Sequence, residues 1–295
     1  MSVRARILTL NVLNLEGDSR RQEVINAELC RLSPDLVSFQ EVVKTEEHDQ
    51  LDALLDGSGL RGTHQADVLA YPMPWAERFG GTALATRWPH RIVEALDHRA
   101  EADALQPWGT LAAAVEVPGE GELLFIATTL NASFAGAAAR EREVVALTEI
   151  DERHRRALPT VIAGDLNSLP NSSSIRYLTG LQSLGGKSVF FHDAWAVAGE
   201  GPGYTWASDN PLASSLMDVI VRQPGGLRYR IDYVLVGSVQ FGAHRGSRCR
   251  IEQASLAFHE PVDGIWPSDH FGVLVDAELG QDPEAGAALD RLLTR

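Results

Sequence analysis

Asn11, Glu41, Asp165, Asn167, Asp232, Asp269 and His270 have the side chains of a hydrolytic site. Each stands where an apolar run ends, begins or is interrupted. Asn11 closes "ILTLN", Gln40 and Glu41 close "DLVSFQE", and Asp165 and Asn167 follow "VIAG". Asp232 is embedded in "RIDYVLV", and Asp269 and His270 open "SDHFGVLV". A polar side chain at a strand end can simply begin a turn. Five such clusters point further, because buried charge is costly unless it is paired or binds a metal. Sheets that bring these ends together make a pocket of carboxylates, amides and one histidine. Carboxylate and amide oxygens without thiolates suit a hard cation, Mg2+ or Mn2+ in preference to zinc or copper. An aspartate near an asparagine can orient and deprotonate a water. A histidine held by a second carboxylate can stabilise charge on phosphorus or assist the leaving group. These residue types compose metal-assisted phosphoester hydrolysis.

The elements that must position them follow from the spacing of apolar residues. "RILTLNV" and "DLVSFQEV" read as buried strands joined by an amphipathic helix from Arg20 to Leu32. "GTALATRW", "RIVEAL", "TLAAAVEV" and "ELLFIATTL" follow with connections too short for helical crossovers, which predicts antiparallel pairing among them. A helix is expected over Gly136–Arg156, then a strand in "TVIAGDLN". Beyond an irregular Gly- and Pro-rich middle, "YRIDYVLVG", "RIEQASLAF" and "FGVLVDAEL" read as further strands. Roughly ten strands with a few helices fit two packed sheets with helices outside, with alternating open α/β layers as the other architecture this pattern allows. With no linker or repeat in sight, residues 1–280 are expected to form a single domain and 281–295 a peripheral helix. The glycines of "GEGPG", Gly199–Gly203, neither follow a clear strand nor open a helix and read as a turn.

The formal charge is −14, from 40 acidic against 26 basic residues, which argues against a broad basic surface for long nucleic acid. A metal-filled pocket is compatible with it. The only cysteines, Cys30 and Cys249, make neither a disulfide framework nor a structural zinc site. "MSVRARILTLNVLN" lacks the apolar core of a signal peptide, and no run is long enough to span a membrane. The expectation is a cytoplasmic protein without membrane insertion and without an obligate protein partner.

In their order along the chain, "LTLNV", "FQEV", "AGDLN", "RIDYVLV" and "PSDHFGV" resemble the endonuclease/exonuclease/phosphatase superfamily from about Asn11 to His270. The resemblance implies an α/β fold: a four-layer α/β sandwich, two mixed β-sheets packed face to face with helices outside. It implies Glu41 as the main metal ligand with Asn11 beside it, and Asp269 at that metal or a second one. Asp165 would activate the water, Asn167 would support it at the phosphate, and His270, oriented by Asp232, would contact a phosphoryl oxygen. Gln40 reads as a hydrogen-bond partner of neighbouring backbone and Asn14 as a loop cap.

The pattern departs from the family at "IATTLNAS", where Thr129 stands in place of a histidine that many members carry. A threonine hydroxyl donates one hydrogen bond but cannot carry positive charge or act as a general acid near neutral pH. Either the substrate has a good leaving group, or a group is recruited from elsewhere, such as His259, Tyr204 or Arg142. The alternative is a catalytically weak protein that binds a phosphate ligand; the five retained clusters favour an enzyme. Candidate substrate contacts are Thr129, Asn131, Tyr204, Trp206 and Arg230, with Trp75 and Trp108 on neighbouring loops and Arg222 and Arg228 near Arg230. A small phosphorylated substrate is expected over long nucleic acid, with a nuclease acting on DNA or RNA as the rival reading.

Overall fold

A computed structural model describes residues 2–69, 79–98, 108–220, 226–237, 247–282, 284, 287–288 and 291, without the side chains of 216 and 218–220. Strand β1 (Ser2–Asn11) and strand β2 (Leu36–Val42) run parallel, with helix α1 (Arg21–Leu32) as the crossover. Helix α2 (Gln50–Leu55) leads to β3 (Arg61–His64), which pairs with β4 (Gly81–Thr86). The two last strands, β13 (Ser247–Ala257) and β14 (Gly272–Gln281), complete the first sheet in the order β13-β14-β1-β2-β4-β3.

The second sheet begins with an antiparallel run of β5 (His90–Asp97), β6 (Gly109–Val117) and β7 (Gly121–Thr129). Helix α3 (Ala137–His154) then crosses over to β8 (Val161–Asp165), parallel to β7. Helix α4 (Ser173–Leu178), β9 (Phe191–Asp193) and α5 (Ala194–Ala198) follow. Next come β10 (Trp206–Ala207), α6 (Pro211–Ile220), β11 (Arg228–Tyr229) and β12 (Asp232–Gly237). The sheet order is β5-β6-β7-β8-β12-β9, and β10 and β11 form a separate ribbon. One sequence expectation is corrected here. "GTALATRW" does not pair with the three strands after it, because β4 joins β2 and β3 in the first sheet.

Three apolar layers define the sandwich. Ile7, Leu36, Val275, Phe125, Val161 and Val234 pack between the two sheets. Leu8, Leu10, Val37 and Phe39 face the other way, against Ile25 and Leu29 of α1 and Leu51 and Leu54 of α2. Ile126, Ile162 and Leu235 meet Val144, Leu147 and Ile150 of α3 and Ile175 and Leu178 of α4. Strands apolar on both faces, with helices on the outer ones, give the expected helix–sheet–sheet–helix order. Each of these buried side chains contributes roughly 1.5–3 kcal/mol relative to exposure. Among the described residues no helix is long and apolar enough to cross a membrane. Trp75, Arg222 and most of the expected helix over 281–295 lie outside the described residues.

Candidate active site

The faces that build the inter-sheet core turn polar at one end of the strands. On β1, Ala5 and Ile7 are followed by Thr9 and Asn11; on β7, Phe125 and Ala127 by Thr129; on β8, Val161 and Ala163 by Asp165. Strand β12 runs the opposite way and reaches the same end at Asp232, after which come Val234 and Val236. Successive residues on one face of a strand are two apart, so these polar groups project where the next core residue would stand. Asp165 is in register with Asp232 on one side and Thr129 on the other.

Glu41 arrives differently. Strict alternation would send it after Val37 and Phe39 toward the helices. The β2–β4 register shifts between Phe39 and Val42, and Glu41 takes a left-handed φ of 59°. Such a bulge re-aims a side chain, at a backbone cost characteristic of functional positions. Gly80, itself at φ 61°, closes on this bulge: a Cβ there would stand 2.4 Å from the Glu41 carbonyl carbon. The turned carboxylate receives the Asn11 amide at 3.2 Å on Oε1 and the Asn14 amide at 3.3 Å on Oε2. Asn11 Nδ2 also donates to Asp165 Oδ2 at 3.3 Å.

The last cluster is assembled by the segment before β14. His270 Nδ1 lies 3.0 Å from Asp232 Oδ2, and its Nε2 lies 4.0 Å from Asp165 Oδ2. The Ser268 hydroxyl donates to the Asn11 carbonyl at 2.6 Å and to Asp269 Oδ1 at 3.3 Å. The Trp206 indole N–H donates to Asp269 Oδ2 at 3.3 Å, and its ring lies 6.2 Å from the His270 ring. Thr205 couples the segment leading into β12 with the segment leading into β14. Its hydroxyl accepts from the Ile231 and Asp232 amides at 3.1 and 3.2 Å, and its carbonyl accepts from the Phe271 amide at 2.7 Å.

Electrostatics follow from this crowding. Burial first, then the Asp269 charge, pushes the Glu41 carboxyl up to about 8. Burial first, then Asp232, pushes Asp165 up to about 7. Burial pulls the His270 imidazole down, but the charges of Asp232, Asp269 and Asp165 and the Asp232 hydrogen bond outweigh it and hold the imidazole well above its ordinary value. Asp232 Oδ1 is buried without a hydrogen-bond partner among the described residues. Four carboxylates against one histidine, all-oxygen apart from that ring, make a donor set that a hard divalent cation fits and would ionise. Donor atoms of Asp165, Asp232 and His270 lie within 4.8 Å of one another. His270 Nδ1 is already engaged by Asp232, and Glu41 and Asp269 add two further carboxylates that could hold a cation. Asn11 is a poorer oxygen ligand than the sequence implied, because its Oδ1 accepts the Leu13 amide at 3.0 Å and its nitrogen faces the carboxylates.

The remaining sequence candidates divide. The Asn167 backbone N–H supports Asp165 Oδ1 at 2.9 Å, from a left-handed φ of 46°, while its amide donates to Leu130 O. The Thr129 hydroxyl pairs with that of Thr82 at 2.7 Å, across the sheets. Asn131 caps its own loop, accepting from the Ser133 amide. Tyr204 is partly exposed, whereas Trp206 and Trp108 are buried. Arg230, a candidate substrate contact from the sequence, has a buried guanidinium that is ion-paired to Asp193 at 2.8 Å and stacked on the Tyr233 ring. Arg228 is paired with Asp209, and His259 is exposed, edge-on to Phe271. Gln40 bonds the side chains of Ser38 and Thr9. Asn14 does more than cap a loop, since it also holds Glu41. Thr205 and Ser268 were missed; adjacency to Trp206 and Asp269 was the only signal they offered.

A family model described as the Endonuclease/Exonuclease/phosphatase family matches residues 8–270. A comparison with curated protein sequences returns no match. Among solved structures, TDP2 from D. rerio complexed with single strand DNA product superposes with a TM-score of 0.67 at 17% identity, covering 93% of this chain and 98% of that one. An endonuclease/exonuclease/phosphatase from Beutenbergia cavernae gives 0.62 at 20% identity, covering 94% and 72%. The human Nocturnin catalytic domain with bound sulfate anion gives 0.62 at 19%, covering 94% and 93%. At these identities the likeness is one of fold.

Proposed function

The chain belongs to the endonuclease/exonuclease/phosphatase family, and from that premise we propose that it is a divalent-metal-dependent phosphoesterase, hydrolysing its substrate by in-line attack of an activated water. The observation that carries this reading is the convergence of Asp165, Asp232 and His270 beside a Glu41 turned inward by a backbone bulge. Held by Glu41 and Asp269, with Asn11 alongside, Mg2+ or Mn2+ would supply positive charge to a phosphate oxygen. Asp165 takes the proton of the attacking water. Without a metal its carboxyl is pushed up to about 7, and a neighbouring cation would favour the ionised form that acts as the base. Asn167 fixes the orientation of that carboxylate through its N–H. His270, kept protonated by Asp232, offers Nε2–H to the oxygen that gathers charge on phosphorus or leaves with the product.

For the substrate, a small phosphodiester or phosphomonoester is our reading, supported by the engagement of four arginines. Arg21 and Arg140 spend guanidinium N–H groups on backbone carbonyls, and Arg228 and Arg230 are ion-paired. Those four offer little to a long polyanion. The rival, a single-strand nuclease, has the D. rerio TDP2 complex as its specific support. Purified protein with Mg2+, Mn2+ or EDTA, tested on bis-p-nitrophenyl phosphate, p-nitrophenyl phosphate, plasmid and short single strands, separates these. Metal-dependent cleavage lost in Glu41→Ala is the expected result. Turnover that survives EDTA and that substitution would sink the metal assignment, and preference for single strands would replace the small-substrate reading.

A further inference from the structure

Arg21, at the start of α1, is 2% exposed, and its cation has no carboxylate partner within ion-pair distance among the described residues. Its five N–H groups are instead all spent on backbone carbonyls. Nε donates to Glu16 O at 2.8 Å, Nη1 to Val12 O at 2.9 Å and Pro267 O at 2.6 Å, and Nη2 to Leu13 O at 2.8 Å and Asn14 O at 3.2 Å. One planar fork therefore joins two segments far apart in sequence. The first follows Asn11 and carries Asn14 to Glu41; the second precedes Ser268, Asp269 and His270. Gln50, fully buried, clamps the same loop from α2, donating to Asn14 O at 2.7 Å while accepting the Val43 amide at 2.8 Å just beyond Glu41. Gly17, at φ 83°, leaves room for the fork: a Cβ there would sit 3.3 Å from Arg21 Nε. Burial disfavours the Arg21 charge, and nearby Asp269, Glu16 and Glu41 favour it. Nothing in the hydrolytic scheme uses this group.

We infer that Arg21 is a positioning residue for the metal-holding half of the site, setting the distance between Asn14 on Glu41 and the Asp269 segment through main-chain carbonyls. The inference rests on the reading of Glu41 and Asp269 as cation holders. A lysine keeps the charge but not the fork, since its three donors diverge from a single nitrogen. Arg21→Lys, Arg21→Gln and Asn14→Ala are compared with Arg20→Gln, a neighbouring exposed position paired to Asp18. Calorimetric Mn2+ titration and hydrogen exchange of residues 12–16 and 267–270 are the readouts on the full chain. Both Arg21 variants and Asn14→Ala are expected to weaken Mn2+ about 10- to 100-fold, the usual effect of removing an outer-shell partner. The two segments should also exchange faster together, with Arg20→Gln unchanged. Adding Arg21→Lys to Asn14→Ala should cost less than Arg21→Lys alone. Wild-type protein that binds no Mn2+ overturns the functional reading itself. Binding in wild type with unchanged affinity in Arg21→Lys overturns this inference alone. If the arginine variants do not fold, unchanged affinity in Asn14→Ala does so.

Discussion

The layer between the two sheets has two ends made by the same strands, and they obey opposite rules. At one end Ile7, Phe125, Val161 and Val236 fill the space with apolar atoms. At the other, two residue pairs along the same faces, stand Asn11, Thr129, Asp165 and Asp232. The backbone does not change between them, so the site inherits the rigidity of the core. Only Glu41 departs from the alternation, and it does so through a left-handed residue packed against Gly80. The lesson is that a sandwich can turn the end of its core into a polar pocket by changing side-chain chemistry along the strand faces, with one bulge to bring in Glu41 and a segment before β14 to bring in Asp269 and His270.

Substitutions at the two ends should therefore separate activity from stability. At the polar end, Asp165→Ala and His270→Ala are expected to lower kcat roughly 10²–10⁴-fold, the range for a lost general acid or base, while circular dichroism stays native. Wild-type-like turnover in either would end the assignment of that residue. At the apolar end, Phe125→Ala is expected to cost about 3–5 kcal/mol in chemical denaturation, the range for emptying an aromatic core site. Its kcat per folded molecule should match wild type. A large loss of kcat there would mean that the two ends are mechanically coupled.

The ends should also differ in their response to pH. Asp165 at about 7 and Glu41 at about 8 are both raised above their ordinary carboxyl values in the folded protein. The folded state then holds protons that the unfolded chain has released, so these groups lower stability as pH rises from about 4 to 8. Relative to Glu41→Gln, wild type without metal should lose stability over that interval. Mg2+ or Mn2+ should recover it, raising the melting temperature more at about pH 8 than at about pH 5. At a metal concentration a hundredfold above Kd the gain is about 2.7 kcal/mol. An equal metal-induced shift at both pH values would contradict ligation by carboxyls that must first lose protons.

The sequence made the site's composition legible because each polar cluster interrupts an apolar run that is buried on both faces. The same feature hid the direction of each side chain. In "ILTLN", Ile7 and Leu8 are equally apolar, yet one meets the opposite sheet and the other meets α1. The assignment of β4 to one sheet and β5 to the other was hidden as well, since both are short apolar segments separated by a tight turn. Elements of two to four residues, such as β3, β9 and β10, carry no period to read and depend on tertiary pairing. Arg230 illustrates the limit for charges. Its place just before Asp232 suggested a phosphate contact, but its partner Asp193 is 37 residues away and could be found only in the fold.

Thr129 lies on the boundary between the two ends, and its substitution sharpens where that boundary falls. Its side chain follows Ala127 on the inward face of β7 and is 1% exposed, like the core. It is also in register with Asp165, like the site. What decides is the use of its hydroxyl, which is engaged by Thr82 Oγ1 across the sheets at 2.7 Å. Thr129→Val keeps the shape and removes that bond, leaving the Thr82 hydroxyl buried without this partner. The expected cost is about 1 kcal/mol of stability, the net worth of one neutral hydrogen bond, with kcat/KM changed by less than about threefold on an aryl phosphodiester. Such a leaving group needs no proton, so the comparison must be repeated on an alkyl ester. If kcat/KM then falls about tenfold or more while the aryl substrate is unaffected, the Thr129 hydroxyl assists departure of the leaving group, and the polar end extends onto β7. If both substrates are unaffected, Thr129 belongs with the core, and the proton that the alkyl ester needs comes from another group, for which His270 is the candidate.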